Sequence, residues 1–143
     1  MRCSILLLLM FALLSCGGPT EVKKEIKDES LEKQMIRAYN EGVQALEEGD
    51  IIFATNKFNE AELLFPQSEW APRSSLMAAY AFWSQGYYRD SIDELKRFLK
   101  LYPKYKNLDY AYYLLAMNYY DSIVNEKKAL NPLIEAQKYF ALI

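Results

Sequence analysis

Twelve tyrosines, two cysteines and no histidine set the chemistry open to this chain of 143 residues. Without an imidazole, Ser-His-Asp and Cys-His nucleophiles, imidazole general bases and His-containing zinc sites are all excluded. Cys3 and Cys16 are too few for a disulfide framework or a four-cysteine metal site. Carboxylates are plentiful, but Glu47-Glu48, Asp90 to Glu94 and Glu126-Lys127-Lys128 read as solvated faces and turns. Paired carboxylates with no metal ligand or nucleophile beside them do not make a hydrolase. No Gly-rich phosphate loop occurs either. With 17 basic against 19 acidic residues and no long basic run, the footprint of a nucleic-acid binder is missing. The expectation is therefore a protein with no catalytic residue, metal or cofactor. What is left is one thiol open to modification and a set of aromatic rings suited to binding.

The thiol is Cys16. Residues 1–16 read MRCSILLLLMFALLSC, a single basic residue followed by an apolar stretch from Ile5 to Leu14. At 1.5 Å per residue such a stretch reaches roughly 15 Å, half of a hydrocarbon core, so it reads as the apolar region of a signal peptide and not as a spanning helix. Leu13-Leu14-Ser15-Cys16 resembles the bacterial lipobox, which implies cleavage after residue 15, a diacylglycerol on the Cys16 thiol and a third acyl chain on its new amine. Several acyl chains anchor a protein to a bilayer essentially permanently, where one does so marginally. Gly17 stands where inner-membrane retention usually has Asp, which points to the outer membrane. Cleavage would discard Cys3 with the signal, leaving neither a free thiol nor a possible intramolecular disulfide. Residues 16–29, from the acylated cysteine onward, contain two glycines, a proline and mixed charges, and read as a flexible tether.

From Ser30 the apolar spacing becomes helical, with Asp28 or Ser30 as a plausible N-cap. Sliding the chain by 37 residues aligns Gly42 with Ala79, Gly49 with Gly86, Ala54 with Ser91, Phe58 with Leu95 and Pro66 with Pro103. These are the small, large-apolar and helix-ending positions of a tetratricopeptide repeat. Small residues let two antiparallel helices approach, an aromatic fills the gap between them and proline ends the second helix. The reading is an all-α solenoid of helix pairs over 30–143, with repeats at about 35–71, 72–108 and an incomplete 109–143. In the third, Ala116 falls in place, whereas Ala136 and Phe140 come late, so about eight extra residues from Ile123 to Pro132 lengthen its inner loop. The next helix-ending proline would lie beyond Ile143, which makes the sequence read as a fragment cut within a helix.

Arg97 to Asp121 reads RFLKLYPKYKNLDYAYYLLAMNYYD. With the Phe65-Pro66 turn, the 37-residue spacing, the enlarged third inner loop and the lipobox, it resembles the BamD family (ComL- or YfiO-like), tetratricopeptide lipoproteins of the outer-membrane β-barrel assembly machinery. The resemblance covers residues 13–143. It implies a non-enzymatic scaffold anchored on the periplasmic face of the cell outer membrane. The implied partners are the barrel subunit, the other lipoproteins of that complex and unfolded outer membrane protein substrates. It further implies that the N-terminal repeats take part in recognising C-terminal signal strands. Family members carry more repeats than this chain, and contact with the barrel subunit is assigned mainly to the missing ones. The competing reading is a periplasmic repeat protein coordinating envelope or peptidoglycan processes; its usual soluble signal and N-terminal coiled coil are not seen.

In such repeats the first helix of each pair lines the concave face. That register places Tyr39, Arg73, Leu76, Tyr80, Trp83, Tyr110 and Tyr113 along one groove. Their rings combine large apolar area with a polar edge, which suits an extended peptide ending in an aromatic residue. Arg73 is the group for a terminal carboxylate. The basic and aromatic run Lys100 to Lys106 could meet lipid head groups, but it reads first as a helix C-terminus whose lysines complement the dipole.

Overall fold

A computed structural model describes residues 29–124 and 128–143. The signal segment, Cys16 and most of the tether lie outside the described residues. The rest forms six helices: α1 (Leu31–Glu48), α2 (Ile51–Leu64), α3 (Trp70–Ser84), α4 (Tyr88–Leu101), α5 (Leu108–Asp121) and α6 (Leu130–Phe140). Each packs against its neighbour in the chain, and α3 also touches α5. Among the described residues there is no strand.

The helix limits follow from local chemistry. Ser30 caps α1, its hydroxyl accepting from the Lys33 amide at 3.4 Å. Gly49 closes α1 at φ 83°, a left-handed conformation that glycine adopts without a Cβ penalty. The Asp50 carboxylate then accepts from the Phe53 amide at 3.1 Å and opens α2, so the inner turn is only two residues long. Gly86, at φ 78°, makes the matching bend before α4. At the other ends, α2 stops at Leu64 just ahead of Pro66 and α4 at Leu101 just ahead of Pro103. Pro72 and Pro132 fall in the first turns of α3 and α6, where the missing N–H removes no bond.

Within a pair the small residues decide the spacing. A Cβ on Gly42 would come within 2.9 Å of the Phe58 ring and 3.2 Å of the Ala54 carbonyl, so α1 and α2 meet at a distance that only glycine permits. In the second pair Ala79 and Ser91 take these places, and the Ser91 hydroxyl donates to the Ala79 carbonyl at 2.8 Å. Phe58, Leu95, Phe98, Ala111, Leu114 and Ala116 are fully buried. In the third pair Ala136 is buried, as its register demands, but Phe140 is 43% exposed and meets Tyr113 edge-on at 6.4 Å. Tyr139 stacks instead between Tyr119 (5.8 Å) and Tyr112 (6.5 Å), so rings from α5 and α6 close this pair. The expectation of a helix running through Ile143 is not met: α6 ends at Phe140. The exposed Ala141, Leu142 and Ile143 have no packing to hold another turn.

The first two pairs are joined by charge. Glu62 of α2 is 4% exposed. Arg97 of α4 donates to both of its oxygens, at 3.0 and 2.5 Å, and Tyr102 donates its hydroxyl to the same carboxylate at 2.6 Å. Arg97 also bonds Glu94 and the Ser75 hydroxyl of α3, the latter at 3.0 Å. Glu94 is thus a member of an internal network and not part of a solvated face, because its side chain is only 13% exposed and turned toward Arg97. The guanidinium between two carboxylates holds the Arg97 proton more tightly than usual, Glu94 contributing most and Glu62 next.

Two outcomes follow. Gly42→Val should lower unfolding stability by about 1–3 kcal/mol in denaturant titrations, since the branched side chain overpacks the Phe58 contact. The Tyr102 phenol is pushed well above its ordinary value, first by burial and then by its bond to Glu62. A raised folded-state value means the contribution is complete below the unfolded value of about 10 and fades as pH rises through the folded one. Melting curves should therefore show the wild type losing more stability above about pH 10 than Tyr102→Phe, which starts lower at neutral pH by about 1 kcal/mol.

Candidate functional site

The face built from the first helices carries a cleft of about 560 Å³ between the N-terminal half of α3 and the corner that joins α4 to α5. Trp70, Arg73 and Leu76 line it from α3, Tyr105 and Lys106 from the corner and Tyr110 from α5. Pro103 forces the chain out of α4, the Tyr105 amide donates to the Tyr102 carbonyl at 3.1 Å, and the Tyr105 ring stands edge-on against buried Phe98 at 5.8 Å. That packing fixes the corner as a wall of the cleft.

Arg73 shares the cleft with two other charged residues, Glu69 and Lys106. Its guanidinium lies 5.2 Å from the Trp70 ring and 5.9 Å from the Tyr39 ring, within cation–π range of both. Tyr39 in turn meets Trp70 at 5.1 Å and Phe58 at 5.5 Å, both edge-on, so the rings that flank the guanidinium rest on the core of the first pair. Among the described residues Arg73 has no carboxylate partner, unlike Arg37 and Arg97. An exposed guanidinium with ring faces on two sides and no hydrogen-bond acceptor among the described residues is suited to a carboxylate supplied from outside.

The seven residues expected to form the groove are distributed along this face. Arg73, Leu76 and Tyr110 line the cleft, and Tyr39 reaches it through Arg73. Leu76, only 6% exposed, contributes to the floor and belongs to the core beneath. Tyr110 stacks on Tyr113 at 6.5 Å. Burial raises the Tyr110 phenol above its ordinary value, with nearby Tyr80 and Tyr113 adding to the rise. Tyr80 packs on Trp83 at 5.8 Å, farther along α3, and the Trp83 indole donates to the Asp121 carboxylate at 2.9 Å. Trp83 therefore ties α3 to the end of α5.

Trp70, Tyr105 and Lys106 were not anticipated in the cleft. Counting the repeat from Pro72 leaves Trp70 in the connection, although it lies one turn before Arg73 on the same helix face. Tyr105 and Lys106 follow a helix end, where lysines usually answer the dipole; only the fold brings the corner back over α3. Among the described residues no group of three acidic or thiol side chains could hold a metal ion. None of their helices is long and apolar enough to cross a membrane.

Short-turn helix pairs stacked one on the next define an all-α helical-repeat protein. The sequence profile of the YfiO family, described as outer membrane lipoprotein, matches residues 31–143, and the chain belongs to this family. Among curated relatives, the chain is similar to outer membrane protein assembly factor BamD of Caulobacter vibrioides, at 38% identity over 61% of this chain and 28% of that protein. It is similar to BamD of Rickettsia prowazekii at 32% identity over 78% of this chain and 45% of that protein. With BamD of Neisseria meningitidis serogroup A the identity is 31%, over 72% and 38%. The chain thus spans less than half the length of these relatives. No solved structure matches it at a comparable level of significance.

Two substitutions separate surface from support. Arg73→Ala should change unfolding stability by no more than about 0.5 kcal/mol. Trp83→Phe keeps the ring but strips Asp121 of its donor, and should cost about 1 kcal/mol in the same denaturant titration.

Proposed function

We propose that this chain is a non-enzymatic binding module of outer membrane protein assembly that receives substrate proteins by an extended segment ending in an aromatic residue and a free carboxylate. The observation that carries the reading is Arg73, framed by Trp70 and Tyr39 and without a carboxylate partner among the described residues. In this reading the terminal carboxylate pairs with Arg73, Lys106 adds positive charge at the mouth, and the final aromatic ring lies among Leu76, Tyr105 and Tyr110. Tyr113, Tyr80 and Trp83 continue the surface for preceding residues. Aromatic rings suit this task because they give contact area at little cost in side-chain entropy. Support comes from membership of an outer membrane lipoprotein family and from relatives named as assembly factors.

The rest of the proposal concerns placement. Acylation at Cys16 anchors the protein to the periplasmic face of the outer membrane, where it works beside the barrel subunit and the other lipoproteins of the assembly complex.

The test uses a labelled peptide copying the C-terminus of an outer membrane β-barrel protein, as free acid and as amide, in fluorescence anisotropy. The free acid should bind roughly tenfold or more tightly than the amide, and Arg73→Ala should erase that difference. Tyr110→Ala should weaken both peptides. Equal affinity for acid and amide in the wild type would remove Arg73 from the role. Unfolding of Tyr80→Ala or Trp83→Ala, in place of weaker binding with the fold intact, would exclude that position from the groove.

A further inference from the structure

The first helices α1, α3 and α5 repeat one geometry. Ile36, Arg73 and Tyr110 stand 37 residues apart toward the starts of these helices, and Glu47, Ser84 and Asp121 stand 37 apart at their ends. Within each helix the two places are separated by about three turns, so both fall on one face, roughly 16 Å apart. The two rows differ in charge. The first holds the Arg73 guanidinium between an isoleucine and a tyrosine, whereas the second holds two carboxylates and a hydroxyl. The last turns of α1, α3 and α5 contain no basic residue at all. Glu32, Glu69 and Asp109, at the other ends, stand in or just before a first turn, where a carboxylate answers the helix dipole.

Asp121 has no such reason for its place. It is the last residue of α5, where the carbonyl ends of the helix already gather negative charge and disfavour a carboxylate. Its Oδ2 accepts the Trp83 indole N–H at 2.9 Å, and among the described residues no lysine or arginine pairs with it. Holding the indole does not require a charge, since a neutral amide oxygen accepts the same bond without opposing the dipole. The negative charge is therefore surplus to the packing of α3 on α5. It stands on the face of α5 that carries Tyr110 into the cleft, half-buried and one oxygen short of full use.

We propose that Asp121 is a specificity-determining residue of the groove, which pairs with a basic side chain of the substrate segment about five residues before its terminal carboxylate. The inference rests on the reading of the Arg73 cleft as the seat of a free C-terminus. An extended chain advances about 3.3 Å per residue, so the roughly 16 Å between the rows corresponds to about five residues. Tyr80 and Trp83 on α3, in contact at 5.8 Å, and Tyr113 on α5, stacked on Tyr110, line that interval. Charge then sets direction as well as composition. A segment laid the right way brings its carboxylate to Arg73 and its cation to Asp121; one laid in reverse brings its carboxylate to Asp121.

The test uses labelled free-acid peptides that end in phenylalanine and are otherwise neutral, with lysine or glutamate placed four, five or six residues before the last. In fluorescence anisotropy with the whole chain, lysine should bind about tenfold more tightly than glutamate at one of these places, and high salt should shrink the difference. Asp121→Asn keeps an acceptor for the Trp83 N–H and should reduce the difference to about twofold or less, with helical circular dichroism unchanged. Trp83→Phe removes the indole bond but leaves the carboxylate, and should keep the preference for lysine. Equal affinity for lysine and glutamate at all three places in the wild type overturns the proposal, and so does a preference that survives in Asp121→Asn. Loss of the preference in Trp83→Phe overturns it too, by reducing Asp121 to a support for the indole. The reading of Arg73 fails separately, through equal binding of the acid and amide forms of one peptide; a wild type that binds no peptide overturns both.

Discussion

Glu62 is a carboxylate with almost no access to water, and the relation between the first two helix pairs depends on what it finds instead. An unpaired carboxylate in that position would cost several kcal/mol. Arg97 supplies two parallel hydrogen bonds and Tyr102 a third, from the far end of the neighbouring second helix. A bidentate pair is sensitive to direction as well as distance. Apolar contact between α2 and α3 could tolerate a small rotation; this network cannot. Tyr102 also packs at a tilt against Phe98, and Phe98 supports Tyr105. The orientation imposed at Glu62 therefore passes through two rings to the wall of the cleft.

The architecture was legible where it depends on local steric demands. Gly42 against Phe58, Ser91 against Ala79 and the prolines after α2 and α4 are requirements within one pair, and their spacing repeats in the sequence. The third pair was legible only in part. Ala116 and Ala136 occupy the small positions, but Phe140 does not fill the gap, because Tyr139 takes up the space by stacking between Tyr112 and Tyr119. Ring stacking of this kind follows from the approach of two helices and has no signature in residue spacing.

The cleft shows the same division. Arg73, Leu76 and Tyr110, with Tyr39 beside Arg73, were legible because one helix register puts them on one face. Trp70 and the corner residues Tyr105 and Lys106 were not, since they enter the cleft by the way successive pairs are set against each other. Glu94 was misread for a related reason. Nothing near it in sequence distinguishes a solvated carboxylate from one facing an arginine that is itself committed to Glu62, 35 residues away.

The hydrogen bond from Trp83 to Asp121 has an optical consequence. The protein's two tryptophans stand at separate places along the first-helix face, one beside the Arg73 cation and one donating to an anion on the next pair. Indole emission responds to the sign and position of nearby charge. Trp70 would therefore register neutralisation of Arg73, whereas Trp83 would register a change in the angle between α3 and α5. Arrival of a ligand and bending of the helical array would appear as two distinct intrinsic signals, each isolated by replacing the other tryptophan with phenylalanine.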